Sequence, residues 1–256
     1  MSVPTIPETM LPIGISPRSS RRTHRILWAG MLSLCAIAVA AVVHRLVALA
    51  YPSHDLPAQV AALDAAFARR PVLTLIHIVP AMFFIIFVPL QFSATLRTRH
   101  PDVHRWIGRF LMTLSVVIGL SALWLLRDPI GGNTEVTAIL FFDGLFLLAM
   151  AKAFFHIRRR EVALHREWVM RGVSVALGVA TVRPIIGVFF ATNSLSGLTP
   201  HDFFGVAFWI GFTLTYLFAE LWSRHTRLRP EARRQLGSLP NRRIDFEAQT
   251  HRPSGI

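Results

Sequence analysis

The sequence predicts an all-α integral membrane protein, a bundle of six transmembrane helices with both termini in the cytoplasm. Three observations predict it. The chain of 256 residues is 53% hydrophobic and only 16% charged, where a soluble domain carries about 25%. Its apolar residues gather in six runs that reach or approach the roughly 20 residues needed to cross a bilayer. When those runs are threaded through a membrane, all but Arg45, Arg69, Arg70, Arg127 and Arg183 of the 27 Lys and Arg residues fall on one side. Cytoplasmic loops carry the excess of Lys and Arg, so that side is the cytoplasm and the membrane is the bacterial inner one. The net charge of +13 is thereby explained by topology and anionic lipid headgroups rather than by nucleic acid, because the bases flank apolar runs.

The six runs, in order, are Ile26–Ala50, Val72–Leu96, Trp106–Leu126, Thr134–Phe155, Trp168–Phe190 and Asp202–Trp222. The first follows a basic stretch and ends in Ala48-Leu49-Ala50, which resembles a secretory leader. It is longer than the roughly 7–15 residues of such a leader, and His44-Arg45 interrupts its end, so it reads as a retained span. Between runs stand YPSHDLP, RTRHPD, RDPIGGN and NSLSGLTP, rich in the residues that break helices and form turns. Residues 1–25 and 223–256 lack apolar periodicity and read as disordered tails around a transmembrane domain at 26–222. Pro80, Pro89 and Pro184 lie inside runs, where they kink a helix that its neighbours can still satisfy.

Several chemistries are excluded. Cys35 is the single cysteine, so no internal disulfide, thiolate metal set or covalently attached haem can form. No phosphate-binding loop, nucleophile elbow or HExxH helix is present, which removes support for ATPase and hydrolase classes.

Ionisable groups within a bilayer cost free energy and mark sites by default. Counting residues at 1.5 Å each puts His44, His77 and Arg183 roughly 8–11 Å below the outer surface and Asp143 roughly 14 Å below it. Arg183 and Asp143 would most simply form a buried ion pair. His165 and Arg183 are five helical turns apart and share a stripe with Gly172, Ala176 and Ala180, small residues that admit another helix or a flat ligand. Run two carries His77, Ala81, Phe84, Val88, Gln91 and Thr95 on one side; run six carries Asp202, Trp209, Thr213, Tyr216 and Glu220. These polar edges are expected to meet inside the bundle.

HRWIGR at His104–Arg109 is echoed by HREWVMR at His165–Arg171. Both open a run at the cytoplasmic side. Their arginines and tryptophans are explained by lipid phosphates and the interfacial aromatic belt. The histidines have two readings. They are headgroup-facing helix starts, or they clamp a b-type haem, since neutral imidazole is a good ligand for haem iron. His44 and His77, with Arg183 nearby, make a second candidate pair. No metal set beyond these is visible.

At these residues the chain resembles a family of bacterial multi-pass membrane proteins of unknown function, DUF2306-like. The resemblance rests on His77, PLQF at Pro89–Phe92, RTRHPDVHRWIGR at Arg97–Arg109, HREWVMR at His165–Arg171, Arg183 and FAEL at Phe218–Leu221. The chain departs from it at Pro89, where the family reads Gly-Pro, and at Thr215-Tyr216, where Trp and Asn are common. The resemblance implies a membrane location and assigns no activity. Three functional readings stay open. One is a haem b or quinone-linked redox component with a membrane redox partner. Another is a small-solute or proton-coupled transporter built on His77, Asp143, Arg183 and Glu220. The last is a non-catalytic accessory or assembly subunit.

Overall fold

A computed structural model describes residues 17–52 and 58–237. Every regular element among them is a helix: α1 (Pro17–Ala50), α2 (Ala58–Ala68), α3 (Pro71–Phe92), α4 (Ala94–Arg99), α5 (Pro101–Leu125), α6 (Gly132–Arg158), α7 (Val162–Ala191), α8 (Asn193–Ser196) and α9 (Pro200–Gly237). Six of these, α1, α3, α5, α6, α7 and α9, are long and apolar enough to cross a membrane. Helix α1 begins and α9 ends inside the stretches expected to be tails. The rest of the expected tails, 1–16 and 238–256, lies outside the described residues.

Two hairpins organise the bundle. Helices α3 and α5 pack together, as do α6 and α7, and α5 packs on α6. Helix α1 closes the circle by packing on α3 and α7, while α9 lies outside it against α6 and α7. The expected second span does not run unbroken to Leu96. Ser93 adopts an extended backbone, and its hydroxyl accepts the Leu96 amide at 3.3 Å to start α4. A serine there competes with the helix for backbone hydrogen bonds and restarts it as an N-cap. The turn from α6 to α7 passes through Arg160 at φ 62°, the left-handed conformation that ends many helices.

With lipid outside and no water to exclude, helices associate through close packing at small residues. The glycines show this directly. A β-carbon at Gly205 would lie 2.4 Å from the Glu135 backbone nitrogen, one at Gly211 would lie 2.9 Å from that of Val182, and one at Gly178 would strike the Phe212 ring. Gly172 meets the Met150 sulfur and Ala149. At Gly172 the stripe of Gly172, Ala176 and Ala180 is packed by a helix, α6. In the middle of the ring Phe84 stands edge-on to Phe146 at 5.9 Å, with Ile85, Val88, Leu114 and Met150 around them. This aromatic and aliphatic layer separates two polar ends. The basic end holds the starts of α1, α5 and α7; the far end holds the starts of α3, α6 and α9.

Candidate functional site

At the basic end, His104 opens the second helix of one hairpin and His165 the second helix of the other. Gln91 of α3 donates its Nε2 to the His104 carbonyl at 3.2 Å, which fixes the start of α5 against the end of α3. The His104 ring is half-buried, and its Nδ1 is buried with no hydrogen-bond partner among the described residues. His165 is half-buried as well, and its Nδ1 lies 2.8 Å from the carbonyl of Ala153 on α6. Such a bond settles the tautomer and leaves Nε2 as the available nitrogen. His165 and Arg97 are both close enough to act electrostatically on His104. The two echoed histidines thus lie within electrostatic range of one another, on helices that do not pack together.

The other residues of the echoes take up surface and packing roles. Trp106 is 69% exposed, and Arg109 lies over its ring at 5.4 Å. Arg171 lies over Trp168 at 4.8 Å, and its Nε also donates to Glu220 Oε2 at 2.9 Å. Arg224 reaches the same carboxylate at 3.0 Å. Glu220 is neutralised twice over, so it binds α9 to α7 and is not a free acid. The pairing of Arg171 with Glu220 was not anticipated, because 49 residues separate them.

At the far end the expected layer forms differently. His44 is exposed, turned away from the bundle. Its neighbour Arg45 turns inward, pairs with Asp64 of α2 and lies 4.1 Å from the centre of the Phe67 ring. One residue is 100° on a helix, so the adjacent side chain takes the inward place, and the outer histidine pair does not assemble. His77 Nδ1 lies 3.0 Å from Ser121 Oγ and 3.2 Å from the Ile118 carbonyl. It clamps α3 to α5, about 14 residues, or ~21 Å of helix, from the level of His104.

Asp143 and Arg183 are not paired. Asp143 is 8% exposed and its Oδ2 is buried without a partner; Arg183 Nε is likewise buried and bare among the described residues. The contact of Gly172 with Met150 sets the register of α6 on α7. Continued outward, it places Asp143 level with Val179, roughly four residues or ~6 Å from Arg183 along the axis. The ion pair expected from sequence fails on that offset. Arg183 instead has Arg45 within electrostatic range.

The far end also holds residues that sequence reasoning missed. Glu135, 7% exposed, accepts the Gly131 amide at 2.7 Å with its Oε2. This is an acidic residue reaching back to the start of its own helix, as in half of a capping box. Arg70 pairs with Asp128 at 2.5 Å. Asp202, expected on an inward polar edge, instead accepts from the Thr199 amide and hydroxyl at 2.8 and 2.6 Å and caps α9.

Among the described residues no three His, Cys, Asp or Glu side chains gather as a metal set. No curated protein and no solved structure matches the chain. A family model does: predicted membrane proteins, DUF2306, over residues 74–223. That stretch starts in α3, includes both histidine-headed hairpins and ends in α9, so it leaves out only α1 among the six membrane-crossing helices. By that match, the chain belongs to the DUF2306 family of predicted membrane proteins.

Proposed function

We propose that the protein is a membrane redox component that holds a b-type haem between His104 and His165, exchanging electrons with a lipid-soluble quinone or a membrane redox partner. The carrying observation is the convergence of these two imidazoles at the basic end, one with a bare buried Nδ1 and one with Nδ1 tied to a carbonyl. A haem iron needs only two protein ligands because the porphyrin supplies four, so the lack of a three-residue metal set among the described residues does not bear on it. Arg97 is the closest candidate for a propionate, with Arg105 and Arg166 exposed beside the two histidines. Under the positive-inside rule this end faces the cytoplasm of a bacterial inner membrane.

Protein expressed with haem available and purified in detergent should show a Soret band and sharp α and β bands on reduction. His104→Ala and His165→Ala should each cut haem content at least tenfold. His77→Ala and His44→Ala should keep it, since neither residue reaches the pair. A colourless wild-type protein would sink the reading.

A second reading, a proton-coupled or small-solute permease, is favoured by one observation: the unpaired acid and base, Asp143 and Arg183, in the far half of the bundle. Bare charged groups in hydrocarbon mark solute and ion paths. Liposome flux that persists unchanged in Asp143→Asn and Arg183→Gln would remove it.

A further inference from the structure

Among the described residues, the charges beneath α2 do not balance. Arg45 and Arg183 are positive and lie within electrostatic range of one another; Asp64 is the one acid among the described residues that pairs with either of them. That leaves one positive charge over, in a cluster where the Arg45 side chain is 11% exposed and Arg183 Nε is buried. A like-charged pair out of water is costly unless an anion joins it. A buried polar atom without a partner calls for an unseen one.

The surroundings say what kind of anion fits. Helix α2 covers the cluster: Leu63 packs with Val182 and Ile186, the residues that flank Arg183 on α7, and with Phe203 of α9. The Phe67 ring lies against Arg45, and Phe189 stacks on Phe203 at 4.9 Å. Apolar walls around a single excess charge suit a monoanion that carries an apolar body. A guanidinium is a planar fork of donors that matches a carboxylate in two parallel hydrogen bonds.

We propose that the far end of the bundle is a binding site for a small organic monocarboxylate, held by Arg183 and Arg45 beneath helix α2. The site gives the permease reading its substrate class, but it rests on residues other than the haem pair. It therefore stands or falls separately from the redox reading.

The test is equilibrium binding of radiolabelled benzoate and butyrate to the full chain in lipid nanodiscs, with inorganic phosphate as competitor. Wild-type protein should bind saturably and phosphate should compete at least tenfold less well than unlabelled benzoate. Arg183→Lys keeps the charge but loses the fork, and should weaken binding about tenfold. Arg183→Gln should abolish it while the elution volume and melting temperature hold. Asp64→Asn frees Arg45 and should tighten binding severalfold. Glu220→Gln, at the other end, should change nothing. No saturable binding, equal competition by phosphate, or undiminished binding by Arg183→Gln would each overturn the proposal. A haem-free protein that still binds benzoate leaves the site intact. A haem-loaded protein that binds none sinks the site and not the redox reading.

Discussion

The two ends of the bundle treat charge differently. At the basic end Glu220 holds Arg171 and Arg224 together, and a ring nitrogen of His104 is buried without a hydrogen-bond partner among the described residues. At the far end the unsatisfied atoms belong to a buried carboxyl group and a guanidinium, Asp143 and Arg183. An imidazole without a partner is inexpensive to bury and suits a metal ligand. An unpaired guanidinium costs far more to bury and calls for a counter-ion. The difference is why the cofactor proposed above is sought at one end and the anion at the other.

The largest expected effect tests the frame that keeps the ends apart. Gly205→Val puts a branched side chain where even a β-carbon lies 2.4 Å from the Glu135 backbone. It should force α9 off the start of α6 and destabilise the protein by roughly 3 kcal/mol or more, read as a large drop in melting temperature in detergent. Retained haem in that variant would show that the basic end holds together without the far one. Arg171→Ala comes next. It leaves the Glu220 carboxylate, 17% exposed, with Arg224 alone, and should cost about 1–3 kcal/mol. In a double-mutant cycle with Glu220→Gln, most of that loss should disappear. Gly119→Ala is milder, since its β-carbon meets only the flexible end of Leu147, and about 1 kcal/mol is expected. His44→Ala should fall within roughly ±0.5 kcal/mol, because that ring points away from the bundle. A large loss there would mean that the exposed face of α1 is in fact covered.

The same contrast explains what was legible in the sequence. Six spans and the loops between them could be read because hydrocarbon thickness fixes length and composition. Helix α2 escaped because eleven residues rich in Ala, with one acid, give neither a span nor an amphipathic stripe. Whether His44 or Arg45 faced inward was not readable, since α1 is apolar on nearly all sides and its polar residues are adjacent. The spacing of His165 and Arg183 correctly placed both on one helix, α7. The pairing of Arg183 with Asp143 failed because depth was counted from run ends, whereas register is set by glycine contacts such as Gly172 on Met150. The link from Arg171 to Glu220 needs the fold itself, in which α9 returns along α7. Convergence of the two echoes was the part of the site that sequence came closest to reading, because each opens the second helix of a hairpin.

The layer of Phe84 and Phe146 at the centre of the ring has an electrical consequence. The residues that form it, Ile85, Val88, Leu114 and Met150 among them, are apolar, so it is a poor place to leave a charge. Carrying a unit charge across 100 mV is worth about 2.3 kcal/mol. Reaching Arg183, roughly 8–11 Å below the far surface, crosses about a third of a field spread evenly over ~30 Å. An anion's affinity at Arg183 should therefore change by only about fourfold between energised and de-energised membranes at 100 mV.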